Sequence, residues 1–252
     1  WAHRIHRDHH RKKVQKIMAN TDLIDEIAIG LKDPTKKMRS AATYASILTN
    51  AQDDLNEDFQ LLQKVDSSTL SLTASTELVG NLPSDFFSFV EEDNDNRSGQ
   101  VAIGDSRDFA LIPSSISLLD HDSLGWKDTA AGTPEKFYIV PGANVELRVW
   151  PKPSASFITK YGNDVHIHYV FQPTAIAYNS DLPFNNSQRL RGLGRLLKLM
   201  ATRQILIEDK EIEKAASFDA LIQREQEKKK DILRSILRNP GGVGFDRRRY
   251  NV

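Results

Sequence analysis

The chain of 252 residues carries 34 Lys and Arg against 34 Asp and Glu, is 39% hydrophobic and contains no cysteine. A chain this long buries roughly 70–75% of its extended surface on folding, enough for one full domain or two small ones. The missing cysteine excludes disulfide frameworks, thiolate metal sites and cysteine nucleophiles, and no apolar run approaches the length needed to span a bilayer. The neutral total hides a segregation: residues 1–40 net +5, residues 41–187 net −12, and residues 188–252 net +7. Charge patterned in this way bears on association rather than on fold. The apolar fraction is low for a globular chain, which suggests that part of it is arm or tail.

Residues 1–17, WAHRIHRDHHRKKVQKI, place Arg4, Arg7, Arg11, Lys12, Lys13 and Lys16 against Asp8 alone. They are basic without the apolar stretch of a signal peptide, and they read as a solvated arm that could order against an acidic surface or a phosphate backbone. His3, His6, His9 and His10 have helical spacing, but a basic arm explains them better than a metal cluster. Met18-Ala19-Asn20-Thr21 reads as an ordinary start, so the arm is set apart from the fold.

Thr21-Asp22 caps a helix through Leu23, Ile24, Ile27, Ala28 and Leu31, which Asp33-Pro34 ends. Thr35 then caps a helix from Lys36 to about Lys64, with Tyr44, Leu48, Ala51, Leu55, Phe59 and Leu62 at threes and fours. Asp53, Asp54, Glu57 and Asp58 form its solvated face. After Val65 the period falls to two. Thr69 to Ala74 alternates, Gly80 to Pro83 breaks the run, and Phe86, Phe87, Phe89 and Val90 make a strand or short turn. Residues 91–99 are a polar loop, in which Asp93 and Asp95 lack the rest of a calcium loop. Short strands follow at Gln100–Ile103 and Phe109–Ile112, with Ser114 to Leu119 ambiguous. The clearest strands are Lys136–Val140, Val145–Trp150 and Val165–Phe171.

Helix returns after the capping cluster Asn185-Asn186-Ser187, through Leu190, Leu193, Leu196, Leu197, Met200 and Ile205. A second amphipathic stretch runs from about Glu208 to Arg238, with Ile212, Ala216, Leu221, Ile222, Ile232 and Ile236 on its apolar side, and Asn239-Pro240-Gly241-Gly242 stops it. The fold class expected is therefore α+β. Helices at 18–65 and 185–238 form a bundle, residues 66–184 form an inserted antiparallel β-sandwich or barrel, and 1–17 and 239–252 are a basic arm and an anchoring tail.

Chemistry is thin. Asp164, His166 and His168 share one face of a strand, as in a cupin metal site. The position where a third ligand belongs is Gln172, however, and only Asp120, His121 or Asp122 could complete the set. Gly192-Leu193-Gly194 lacks the third glycine of a dinucleotide loop and suggests close helix packing. No GxxxxGK[ST], GxSxG or HExxH occurs. The sequence thus points to no enzyme, no metal and no cofactor. Binding features are stronger. Phe245 and Arg247-Arg248-Arg249-Tyr250, beyond a proline–glycine break, form a basic–aromatic peptide of the kind that anchors in a partner's groove. Arg189, Arg191, Arg195, Lys198 and Arg203 give the first late helix a basic edge suited to an acidic protein surface or to phosphate.

Five patterns in order, Leu82-Pro83-Ser84-Asp85-Phe86-Phe87, Gly132-Thr133-Pro134-Glu135-Lys136-Phe137-Tyr138, Leu147-Arg148-Val149-Trp150-Pro151-Lys152-Pro153, His168-Tyr169-Val170-Phe171-Gln172-Pro173 and Asp181-Leu182-Pro183-Phe184, resemble the head–tail adaptor (connector) proteins of tailed bacteriophages. The resemblance covers about residues 36–238; the histidine-rich arm and the acidic loop at 91–99 depart from it. It implies a virion structural protein assembled in the host cytoplasm: a homo-oligomeric ring, commonly of twelve subunits. Such a ring docks on the portal protein, meets a tail or nozzle protein and leaves a channel for DNA, with no membrane involved. It also implies that residues 239–252 insert into the portal. A nucleic-acid-binding module using the arm and late helices, and a metal enzyme or sugar-binding β domain built on His166 and His168, are the alternatives.

Overall fold

A computed structural model describes residues 20–66, 70–90, 100–104, 109–122, 125–178, 183–187 and 190–238. The arm at 1–17, the loop at 91–99, Asp181, Leu182, Arg189 and the whole tail, with Phe245, Arg247, Arg248, Arg249 and Tyr250, lie outside those residues. The chain has helices at both ends and a curled mixed sheet between them, so the α+β class holds. It divides into two compact units: the chain up to Leu55 together with Pro173–Leu233, and the stretch Asn56–Gln172 with the last turn of the final helix.

The first unit holds α1 (Asn20–Gly30), most of α2 (Ala41–Phe59), α5 (Gly194–Glu208) and most of α6 (Ile212–Arg238). Helix α1 ends in a Schellman turn: Asp33 N–H reaches the Ala28 carbonyl (2.8 Å) and Lys32 N–H that of Ile29 (3.0 Å), with Lys32 left-handed at φ 61°. Helix α5 ends in the same way, with Lys210 left-handed and Glu211 N–H on the Leu206 carbonyl at 2.8 Å. Leu23, Ile24, Ile27, Tyr44, Leu48, Ala51, Leu55, Leu193, Leu196, Leu197 and Ile205 are buried, as their spacing predicts.

The helix expected over 36–64 is shorter at both ends. Lys36 has φ 53° and Gln60 has φ 48°, and neither conformation continues a helix. Thr35 is not the cap: Ser40 Oγ accepts the Thr43 N–H at 3.2 Å. Ahead of it, the buried carboxylate of Asp33 accepts the N–H groups of Lys37 (2.8 Å), Met38 (3.2 Å) and Arg39 (3.2 Å) and the Tyr44 hydroxyl (3.1 Å). Burial pulls this carboxyl upward, but those four donors outweigh it and hold its pKa below the ordinary value. A depressed carboxylate stabilises the fold above its unfolded value of about 4, and the contribution is lost as pH falls through the folded value. Asp33→Asn is therefore expected to lower the unfolding temperature by several degrees at pH 7. The gap to the parent should narrow below about pH 4, and thermal unfolding followed by circular dichroism at the two pH values checks it.

The second unit is a β-barrel. Strands β1 (Gln63–Asp66), β2 (Leu78–Asn81), β3 (Phe86–Phe89), β4 (Val101–Ile103), β5 (Phe109–Pro113), β6 (Lys136–Val140), β7 (Glu146–Trp150) and β8 (Val165–Phe171) run in the order β1-β8-β4-β5-β6-β7-β2. Strand β3 also pairs with β8, at residues 169–171, beyond the 165–167 stretch taken by β4. Residues 70–72 close the remaining gap. Ser71 N–H donates to the Val79 carbonyl (3.3 Å), Leu72 N–H to that of Asn163 (2.8 Å), and Val165 N–H to that of Leu70 (3.3 Å). These bonds join the β2 end of the sheet to the start of β8, while β1 and β3 each pair with β8 alone among the named strands. The pairing is antiparallel except between β5 and β6, which run parallel because α3 (Ile116–Asp122) crosses between them.

Alternate residues fill the barrel: Val101 and Ile103, Leu147 and Val149, and Val165, Ile167 and Tyr169 belong to one buried cluster with Leu70, Leu111 and Phe137. A helix absent from the sequence reading, α4 (Ala155–Tyr161), adds Phe157 to this core. Ser154 Oγ caps it through the Phe157 N–H at 3.2 Å. On the opposite face of β6, Tyr138 packs with Leu119 of α3 and with Trp126. Burial of a side chain like Leu119 stabilises by about 2 kcal/mol.

Candidate assembly surfaces

Of the late basic residues, Arg189 and the side chain of Arg191 lie outside the described residues. The other three sit on α5, and each faces a carboxylate of a neighbouring helix. Arg195 Nε lies 3.7 Å from Glu225 of α6, Lys198 Nζ 2.8 Å from Glu26 of α1, and Arg203 Nε 2.5 Å from Asp219 of α6. Glu225 is buried and also has Lys228 at 3.7 Å. Arg39 clasps Asp209 with both terminal nitrogens, at 3.1 and 2.5 Å, and this pairing outweighs burial to hold the Asp209 carboxyl below its usual value. The basic edge read from sequence is thus tied into the bundle at all three described positions.

The glycine pair fits the packing reading only loosely. A Cβ on Gly194 would lie 3.7 Å from Leu23 Cδ2, an ordinary contact, and Gly194 has helical angles. Gly194→Ala is expected to raise stability by about 0.5–1 kcal/mol through a less flexible unfolded chain, seen as a higher denaturation midpoint at unchanged m-value.

Helix α6 departs from its expected apolar face. Ile212 is 59% exposed and Leu221 43%, and Ala216 is open, whereas Ala215 and Glu225 are buried. The side chains of Ile232 and Ile236 lie outside the described residues. The 3.6 period is real, but one chain alone does not cover the face it marks. Elsewhere in the first unit Met38 is 74% exposed and Ile29 62%; in the second, Ile112, Ile116 and Leu118 stand out together around α3. Contiguous exposed apolar groups, as around α3, are the kind of surface that can serve in contacts.

Between α2, α5 and α6 lies a groove of about 600 Å³. Met200, Ile207 and Ile222 supply its apolar lining, and Asp53 and Asp54 stand on one side. The Oδ1 of Asp53 is buried and accepts no hydrogen bond among the described residues. Burial and the neighbouring Asp54 raise the Asp53 pKa. Nothing in the sequence marks this groove, because it takes residues from three helices far apart in the chain.

The histidines of β8 do not gather a metal set. His168 is buried beside the β1 pairing, His166 pairs across to Ala102, and no group of three or more His, Asp or Glu suited to a metal occurs among the described residues. His121 instead sits beside Asp122 at 3.2 Å. No described helix is long and apolar enough to cross a membrane.

The short patterns are structural clasps. Asp85, from Leu82-Pro83-Ser84-Asp85-Phe86-Phe87, accepts the Tyr169 hydroxyl at 2.8 Å, and its carbonyl accepts the Gln172 N–H at 2.8 Å. Lys64 lies 3.1 Å from Asp66 and 3.8 Å from Asp85. Burial and the bond to Asp85 push the Tyr169 hydroxyl up to about 12. Tyr138 in turn donates to Glu77 at 2.8 Å, where Arg148 and Lys152 converge at 3.9 and 3.8 Å. These carboxylates hold phenols and cations in place and show no arrangement for acid–base work. A family model described as SU10 adaptor protein matches residues 18–240, in agreement with the resemblance those patterns carry. No curated protein matches the chain.

Proposed function

Because the chain belongs to the SU10 adaptor protein family, and is thus a structural adaptor of the phage virion, we propose that it forms an oligomeric ring between portal and tail. The ring has twelve subunits and a central channel through which DNA passes, and it assembles in the host cytoplasm. Residues 239–252 anchor in the portal through Phe245, Arg247, Arg248, Arg249 and Tyr250, and the opposite side of the ring receives a tail or nozzle protein. The role is one of assembly, with no catalytic step.

The observation that carries this reading is the family match together with apolar side chains left uncovered on both units, Ile212, Leu221, Met38 and Ile112 among them. A heterologous contact repeated around a closing rotation covers such patches once per subunit. Interfaces of this obligate kind bury thousands of Å² and are apolar at their centre. The internal pairing of Arg195, Lys198 and Arg203 leaves less free positive charge for a phosphate backbone. That favours protein contacts over a nucleic-acid module.

Deleting residues 239–252 tests the anchor. The truncated chain should fold and keep its circular dichroism spectrum, yet fail to co-sediment with portal rings. Normal docking by the truncated chain contradicts the assignment.

A further inference from the structure

We propose that the groove between α2, α5 and α6 is the docking site for residues 1–17 of the same chain. The family match begins at residue 18, so this segment lies outside it. Three observations select it as the occupant. The first is charge: the segment carries six Lys and Arg against one Asp, whereas Asp53 and Asp54 stand on the groove wall and the guanidinium of Arg203 there is already paired with Asp219. The buried Oδ1 of Asp53, with no hydrogen bond among the described residues, is an acceptor that an incoming Lys or Arg would satisfy.

The second is shape and polarity. The groove offers Met200, Ile207 and Ile222 beside those carboxylates, and the segment interleaves Trp1, Ile5, Val14 and Ile17 with its cations. A peptide mixing apolar and basic side chains suits a cleft with an apolar floor and an acidic wall.

The third is reach. Helix α1 runs alongside α5, with Leu23 against Gly194 and Glu26 against Lys198, so α1 begins near the start of α5. The groove lies on the later half of α5, and the whole of α5 is roughly 22 Å long at 1.5 Å per residue. Seventeen residues span up to about 55 Å when extended. The segment therefore reaches the groove with length to spare.

Disulfide trapping in the full chain tests this on a background free of cysteine. Val14→Cys is combined with Asn50→Cys, an exposed position lining the groove, or with Thr76→Cys, an exposed position on the barrel unit. Mild oxidation should give an intrachain bond between positions 14 and 50 in severalfold higher yield than between 14 and 76. Adding Asp53→Asn and Asp54→Asn, which leave shape intact, should cut that yield about fivefold. About 1 M salt should cut it similarly. Circular dichroism confirms that each variant is folded. Equal yields at positions 50 and 76, indifference to the two aspartate substitutions, or bonds formed only between chains would overturn the proposal. None of these readouts depends on portal or on ring formation, so the ring reading can fail while this one stands.

Discussion

Gly104→Ala is expected to destabilise the barrel by about 3 kcal/mol or more. Gly104 follows β4 with φ 93°, a conformation that strains any residue with a Cβ by about 1–2 kcal/mol. A Cβ there would also sit 2.5 Å from the backbone carbonyl oxygen of Tyr161, at the end of α4. Backbone cannot step aside as a flexible side chain can. The residue is held from the other side as well, since its N–H donates to the Asp164 carbonyl at 2.9 Å. Relieving the clash means moving α4 and with it Phe157, which packs edge-on against Phe109 with centroids 5.2 Å apart. Denaturant unfolding should show a midpoint shifted far down, or no soluble protein at all. A parent-like midpoint would mean that α4 does not sit as described.

Gln52→Leu should cost about 3 kcal/mol in the helical unit despite its near-equal volume. Gln52 is fully buried on α2; its Nε2 donates to the Thr174 carbonyl at 3.2 Å and its Oε1 accepts the Phe184 N–H at 2.5 Å. Phe184 and Asn185 are both left-handed, at φ 52° and 53°, which for an aromatic residue is a true outlier. The amide of Gln52 and the bond from Thr174 N–H to Asn185 Oδ1, at 2.8 Å, hold that turn. Leucine leaves the buried Phe184 N–H without a partner, at about 1–3 kcal/mol, and lets the strained turn relax. In a chain of this size the unfolding temperature should fall by roughly 6–10 °C. Gln52→Glu keeps the acceptor and should recover part of the loss; failure to do so would point to packing rather than hydrogen bonding.

These two sites show where sequence reading stops. Strands β6 and β8 match their expected bounds residue for residue, and β7 is off by one, because two-residue alternation is local and survives in the string of letters. Helix α2 overruns in the reading because Leu61 and Leu62 keep the apolar rhythm after Gln60 has turned left-handed. A positive φ at a non-glycine residue is set by tertiary contacts and leaves no local mark. Helix α4 is missed because seven residues between a proline and a glycine barely complete two turns. The family was legible in its ordered patterns, whose Asp85, Tyr169 and Gln172 prove to be joined. The groove beside Asp53 and the pairing of the α5 cations were not, since both need partners more than a dozen residues away.

The acidic middle and basic ends of the chain make sense as parts of an assembly. On the helices, α5 pairs its described cations with Glu26, Asp219 and Glu225 of α1 and α6. Apolar side chains such as Ile212 and Leu221 also stay exposed, and a neighbour in the proposed ring would cover them. The most direct measurement is the particle mass of the purified chain with the portal protein of its phage, by native mass spectrometry. The account predicts a discrete complex holding twelve copies of the 28.5 kDa chain. A chain that remains a 28.5 kDa monomer in the presence of assembled portal would contradict it.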